Sequence, residues 1–361
     1  MQLQNYAMFL PSYSIGPEVY DQLGGLCRPW GGKVLVIGGR KALAAAMPKL
    51  TKACADAGLT LTGPLLYGTD CTFAAVERLR NDPLYAACDM VFAVGGGKAI
   101  DTCKALCVPD HKPIFTFPTI ASNCAACTAV SIMYNEDGTF LRPFFLEKPA
   151  THTFIDTDII VHAPARYMWA GIGDTYAKYY ESTISSRDET LPHFTQMGVM
   201  VSRMCLEPLV QWGPQGLADH REGRLTGAVE QVVLAIVIST GLASNFLTRD
   251  YTPDYNSGLA HAIFYALTKY PVIEAEHLHG EVVGFGVLFA LLVDGQEEEF
   301  TRILRLNRAL GLPTRLSDIG ITPEQFEETV TRIPAMSDVR HYPYAVTEAQ
   351  LHAAWKRLEE C

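Results

Sequence analysis

Two apolar runs that each break off in consecutive glycines constrain this chain more than any other feature. Lys33-Val-Leu-Val-Ile37 ends at Gly38-Gly39, and Met90-Val-Phe-Ala-Val94 ends at Gly95-Gly96-Gly97. Behind the first, Arg40 to Ala55 carries alanines and leucines at helical spacing; behind the second, Lys98 to Cys107 does the same. A third run, Pro113-Ile-Phe-Thr-Phe117, stops at Pro118-Thr119, and Thr153 to Ile160 reads as a later strand. Strands that are apolar along their whole length are covered on both faces. Repetition of strand, turn and helix is the pattern of a parallel sheet. The first part of the chain is therefore expected to be an α/β domain.

After Pro164 the pattern changes. Helical periodicity dominates over Ala165–Ser182, His193–Trp212, Arg224–Leu247, Gly258–Leu267, Glu281–Val293, Glu297–Leu310 and Thr347–Leu358, with no comparable strand signal. A chain of 361 residues has room for two domains. The expected division is residues 1–162, α/β, and 163–361, all helical. No internal repeat or low-complexity tract is visible.

Charge and cysteine usage exclude several classes. The formal net charge is −10, with Lys+Arg 29 against Asp+Glu 39, which argues against nucleic acid as a partner. Arg302, Arg305 and Arg308 read as a solvated helix face. Met1–Gly16 has neither the charged start nor the apolar stretch of a secretory signal. The longest apolar run, Val232–Ile238, falls far short of the roughly 20 residues of a membrane span and reads as a buried helix. Ten cysteines in so long a chain fit reduced thiols in a cytoplasmic enzyme better than a disulfide framework. Cys124 and Cys127 form an isolated C-x-x-C, and Cys127 reads as a small buried thiol.

Each glycine turn follows a strand and opens a helix, where bare backbone N–H groups favour an anion. Gly95-Gly96-Gly97 is the stronger candidate, with Lys98 beside it and Asp101 one turn in. A tight strand-to-helix connection would look the same, and the G-x-G-x-x-G spacing is absent. At Gly38-Gly39-Arg40-Lys41 no acid is present to bind a ribose 2′-hydroxyl, and two cations are. Either both are plain surface residues or NADPH is accepted.

The helical half holds His261, at a small-residue helix start, and His279, 18 residues later before another apolar helix. Asp174 lies in Ala170-Gly-Ile-Gly-Asp-Thr175. Two imidazoles and a carboxylate make a divalent-metal site with an open position, which can bind an alcohol oxygen and hold its alkoxide. By spacing alone, two unrelated core or surface histidines are the commoner explanation.

Taken together, these segments resemble the iron-containing alcohol dehydrogenase family, in its glycerol dehydrogenase branch. The likeness runs through Val94-Gly-Gly-Gly-Lys-Ala-Ile-Asp-Thr-Cys-Lys-Ala105, Pro118-Thr-Ile-Ala-Ser122, Pro164-Ala-Arg-Tyr167, Ala170–Asp174, Ala260-His-Ala262 and His279-Gly-Glu281, over about residues 30 to 290. It implies a dehydroquinate synthase-like fold, with a Rossmann-like dinucleotide-binding domain, NAD(P)H as cofactor, the active site between the two domains, and a homo-oligomer. It places Asp174, His261 and His279 on metal ligands, and Gly95, Gly96, Gly97, Lys98 and Ala99 on the pyrophosphate turn. It also places Thr119, Ser122, Thr128, Val130 and Tyr134 around the nicotinamide half of the cofactor.

Departures from the family pattern carry further expectations. Where four-ligand iron members have a histidine four residues after the aspartate, this chain has Lys178, which favours zinc over iron. Cys124 stands where glycerol dehydrogenases have a substrate-contacting aspartate, and Phe264 replaces a second histidine. Lys178 with Cys124 resembles the bacterial hydroxycarboxylate dehydrogenases. Lys178, one helical turn from Asp174, would hold the carboxylate of a small-molecule substrate, a 2-oxo acid, while the metal polarises its carbonyl; otherwise it pairs with Asp174 or Glu181. The expected reaction is hydride transfer between NAD(P)H and that carbonyl, with water or His277 supplying the proton. Glycerol or another diol is the alternative substrate. A dehydroquinate synthase-like elimination and a protein that binds without turnover are the alternatives of other classes.

Overall fold

The computed structural model describes residues 5–361. Met1–Gln4, the start of the segment read as lacking a signal, lie outside the described residues. The chain divides into two compact units, one essentially residues up to Pro164, the other Ala165–Glu222 with Thr226–Cys361.

The first unit is built on one six-stranded parallel sheet. Its strands are β1 (Tyr13–Gly16), β2 (Lys33–Gly38), β3 (Thr60–Leu66), β4 (Met90–Gly95), β5 (Ile114–Pro118) and β8 (His152–Asp156), ordered β1-β8-β5-β4-β2-β3. A separate antiparallel hairpin joins β6 (Val130–Tyr134) to β7 (Phe140–Phe145). The three runs read from the sequence are three of the four interior strands, β2, β4 and β5, buried throughout apart from the first residue of β2. Phe92, Phe115, Phe117 and Phe154 form the aromatic core on the sheet, with ring centroids 4.6 Å apart for Phe92–Phe117 and 5.1 Å for Phe117–Phe154. Each such ring contributes about 1.5–3 kcal/mol by leaving water.

The edge strands gave no comparable signal. β3 is half exposed and contains Gly63-Pro64, which breaks the apolar pattern. The strand expected over Thr153–Ile160 stops at Asp156. That carboxylate turns back to accept the N–H groups of Asp158 (3.0 Å) and Ile159 (3.1 Å), capping a short helix, Thr157–Val161.

Topology places the glycine turns. From β2 the chain crosses through helix α1 (Arg40–Asp56) to β3 on one side. From β4 it crosses through helix α2 (Gly97–Cys107) to β5 on the other. The order therefore reverses between β2 and β4, whose carboxyl ends are paired at Gly38 and Val94. Open α/β sheets bind ligands at such a reversal.

The second unit is helical. Its main elements are α3 (Arg166–Ser185), α4 (His193–Ser202), α5 (Glu207–Arg221), α6 (Gly227–Leu247), α7 (Leu259–Leu267), α8 (His279–Val293), α9 (Glu297–Leu310) and α10 (Glu348–Glu359). The single helix expected over His193–Trp212 is two. A 3₁₀ turn at Arg203–Cys205 intervenes, and Pro208, which has no N–H to donate, sits in the first turn of the second. α6 runs for 21 residues and is long and apolar enough to cross a membrane, well beyond Val232–Ile238 alone. Yet 67% of its most apolar window is buried inside the protein, as in the core helix of a folded domain. Its middle turn, Ala235–Ser239, widens to a π-helix, where the Thr240 hydroxyl donates to the Ala235 carbonyl (2.9 Å). α8 is apolar on all sides and buried from Gly280 to Leu291, so it forms the centre of the unit.

Candidate metal centre and cofactor turn

α3 and α8 cross at glycine on glycine. A Cβ on Gly280 would lie 2.1 Å from the Ala170 carbonyl oxygen and 2.9 Å from the Asp174 Cβ; one on Gly173 would lie 2.2 Å from the Gly280 oxygen. Only bare backbones approach this closely. The crossing sets His279, first residue of α8, beside Asp174. α7 brings His261.

The three expected ligands thus converge. One donor atom from each of Asp174, His261 and His279 lies within 4.8 Å of the other two. Asp174 Oδ1 is 3.5 Å from His261 Nε2 and 3.4 Å from His279 Nε2. Those distances are long for hydrogen bonds. Two donors each about 2.1 Å from one ion at a tetrahedral angle stand about 3.4 Å apart. Among the described residues this is the only such group of His, Cys, Asp and Glu. The donor set and its spacing fit a divalent cation.

Burial opposes a charge on His261, but Glu181 and Asp174 outweigh it and push the imidazole up to about 10. Burial likewise works against the Asp174 carboxylate, and the two histidines more than offset it, holding the group below the usual carboxylate range. The side chains of Asp174 and His261 are nearly covered, whereas His279 is 42% exposed. The Phe264 ring meets His279 edge to face at 4.3 Å between centroids, so an apolar wall stands where the family pattern has a second histidine.

Several expected residues are placed otherwise. Lys178 is buried, and its Nζ donates to the Asn256 carbonyl; it makes no ion pair with Asp174 or Glu181. The Glu181 carboxylate is on His261 instead. His277 is outside the cluster. Its Nδ1 is 2.7 Å from Glu281 Oε1, while Glu281 Oε2 accepts the Leu278 N–H at 3.0 Å, so it belongs to the cap of α8.

In the first unit, Gly95 has φ +151, and a Cβ there would meet Ala99 at 3.0 Å, so this bend admits only glycine. Ala99 is buried behind it, and Thr119 N–H donates to the Gly95 carbonyl at 3.2 Å. Gly96 is the N-cap of α2, and the Asn123 side chain lies over Gly97, 2.7 Å from where a Cβ would be. Asn123 went unrecognised in the sequence. Lys98 stays at the turn, exposed, paired with Asp70 and 4.8 Å from the Tyr134 ring centroid. Ser122 is half-buried in the same segment.

Asp101, expected at the cofactor turn, has partners inside the unit. Its carboxylate is buried within the unit, 3.0 Å from Lys104 Nζ, and accepts the Ile132 N–H at 3.1 Å. The fully buried Lys104 ammonium also donates to the Thr128 carbonyl and hydroxyl (3.0 Å each) and the Val130 carbonyl (2.6 Å). Asp101, Thr128 and Val130 are therefore joined in a buried brace that fastens the hairpin to α2. Cys124 is half-buried, and none of the ten cysteines is in a disulfide.

Residues 11–151 match the profile of the family described as iron-containing alcohol dehydrogenase. Glycerol dehydrogenase of Escherichia coli O6:H1 is 31% identical over 356 residues, covering 95% of this chain and 93% of the relative. The chain belongs to the iron-containing alcohol dehydrogenase family. Hydroxycarboxylate dehydrogenase A of Escherichia coli K12 is another relative, 30% identical over 89% of this chain and 88% of its own length. The structure of glycerol dehydrogenase from Schizosaccharomyces pombe shares the fold, with TM-score 0.85 at 24% identity over 99% of this chain and 91% of that one. As an iron-containing alcohol dehydrogenase family member, the chain is an oxidoreductase acting on alcohol groups. That sets aside the elimination reaction and the inactive binder.

Proposed function

We propose that the protein interconverts a small vicinal diol and its hydroxy-carbonyl partner, using a nicotinamide dinucleotide and one divalent cation, zinc before iron, in a reducing compartment. The observation that carries this is the convergence of Asp174, His261 and His279, both histidine Nε2 atoms lying 3.4–3.5 Å from Asp174 Oδ1. When bound, the cation would polarise the substrate oxygen and the reduced dinucleotide would supply the hydride. Asp174 and His261 hold their positions from covered sites, and the exposed flank of His279 leaves the substrate its approach. Phe264 keeps water from one side of that approach. The turn Gly95–Gly97 and the N-terminus of α2 offer backbone N–H groups to a pyrophosphate at the reversal between β2 and β4.

The diol takes precedence over the 2-oxo acid for two reasons. Glycerol dehydrogenases recur among the relatives. The carboxylate clamp needs the Lys178 ammonium turned to the substrate, and that buried group donates to the Asn256 carbonyl. The 2-hydroxy acid remains the second reading because hydroxycarboxylate dehydrogenase A is a relative of nearly equal identity. On the cofactor, Arg40 and Lys41 are exposed in the first turn of α1, which carries no acidic residue, and this supports acceptance of NADPH.

The test is steady-state kinetics of chelator-treated, zinc-reconstituted protein with dihydroxyacetone and 2-oxobutanoate, using NADH and NADPH in parallel. Expected are dependence on added metal, kcat/KM at least tenfold higher for dihydroxyacetone, and comparable use of both dinucleotides. A tenfold preference for 2-oxobutanoate establishes the second reading. A hundredfold preference for NADH removes the role of Arg40 and Lys41. Unchanged activity after metal removal overturns the whole proposal.

A further inference from the structure

One charged side chain beside the metal cluster is not in the ligand set, yet it is completely buried. Glu181 is 0% exposed. It lies on α3 seven residues after Asp174, two turns along the same helix face. Both of its oxygens are used on one residue: Oε2 is 2.7 Å from His261 Nδ1, and Oε1 accepts the His261 backbone N–H at 3.0 Å. The surroundings hold the carboxylate still. A Cβ on Gly258 would meet the Glu181 Cγ at 3.0 Å and the Tyr342 hydroxyl at 2.8 Å, so the chain entering α7 rests directly on this side chain. The Tyr342 hydroxyl in turn accepts the Leu259 N–H at 2.9 Å.

We propose that Glu181 is the positioning residue of this centre, the group that aims His261 at the cation. The inference rests on the metal reading above. A carboxylate can only accept from the ring, so Nδ1 must be the N–H, and Nε2 is left with the lone pair a metal needs. Nε2 is the atom that faces Asp174. The second bond, to the His261 backbone, fixes the start of α7 as well as the ring, so ring plane and helix are set by one rigid carboxylate. Without it the imidazole could rotate or present the other nitrogen, and the ligand set would be assembled only part of the time. Metal-bound histidines braced this way typically lose 10- to 100-fold in metal affinity when the brace is removed.

The experiment measures zinc affinity of full-length protein by competition with a chromogenic chelator, for wild type, Glu181→Gln, Glu181→Asp and Asp174→Asn, with the melting temperature of each metal-free form. Glutamine keeps the shape but has one acceptor oxygen for two donors; aspartate keeps the charge but falls short of the ring. Both Glu181 variants are expected to bind zinc 10- to 100-fold more weakly, to show a changed visible spectrum when loaded with cobalt, and to regain most of their kcat at excess zinc. If Glu181→Gln does not fold, Glu181→Asp decides. Zinc affinity within twofold of wild type in a folded Glu181 variant, with only the melting temperature lowered, makes Glu181 merely structural and overturns the inference. That outcome is distinct from failure of the metal reading, in which wild type binds no zinc or Asp174→Asn binds it undiminished, and the Glu181 inference fails with it.

Discussion

Replacing Gly280 by alanine places a methyl carbon 2.1 Å from the Ala170 carbonyl oxygen, with the Asp174 Cβ 2.9 Å away. Ordinary van der Waals contact begins at 3.4 Å, so the backbones of α3 and α8 must separate by about 1.3 Å. Neither helix can yield by a rotamer change, because the obstructing atoms are backbone. Overpacking of this kind costs about 1–3 kcal/mol, and with no flexible group in reach the upper end applies. At about 2–4 °C per kcal/mol for a large unit, the melting temperature should fall by about 6–12 °C. The same displacement carries His279 away from Asp174 and spoils their 3.4 Å spacing, so zinc affinity should fall by more than the stability alone requires. Differential scanning calorimetry of metal-free protein and chelator competition for zinc read the two effects separately. Gly227→Ala is the control: a Cβ there meets nothing within 4 Å. A melting temperature within 2 °C of wild type together with unchanged zinc affinity would refute the argument that the glycine crossing builds the site.

Two further outcomes concern the frame around the sites. Lys104→Met leaves the buried Asp101 carboxylate without its cation and should cost about 3–5 kcal/mol in urea unfolding, whereas adding Asp101→Leu should restore most of it; equal losses in single and double variants contradict the brace. Asp294 is bound by Arg187 (2.9 Å to Oδ1), Tyr344 (2.7 Å) and Gln296 (2.7 Å). Burial raises its pKa, but these partners outweigh that and hold it below the usual 3.8. Its stabilisation is therefore present above about pH 4 and lost as the pH falls through the depressed value. Asp294→Asn should lower the melting temperature at pH 7, and the gap from wild type should narrow towards pH 3; a gap that stays constant across that range rejects the assignment.

Much of the architecture was legible because hydrophobic pattern is a local property. The interior strands β2, β4 and β5 are apolar but for Lys33 and Thr116 and end in glycine or proline, so period and punctuation agreed. The edge strands and the β6–β7 hairpin are half exposed, carry mixed patterns, and acquire strand geometry from their neighbours. Tyr342 and Asn256 could not be connected to the site from sequence, since their roles depend on loops that return from far along the chain. Glu181 had a usable signal, a carboxylate at helical spacing from Asp174, but nothing local says which of two nearby groups it will hold.

The order of residues by itself determined the α/β half and the helical half, because each depends on residue type and on spacing within one element, and it singled out Asp174, His261 and His279, which the fold brings together. Tertiary structure alone decided which groups are free to act. It consumed Asp101 in a buried brace, tied Lys178 to a backbone carbonyl, set His277 into a helix cap and aimed His261 through Glu181. The physical reason is competition: a buried charge takes whichever partner the packing brings within about 3 Å, and that partner is chosen by the fold of the whole unit.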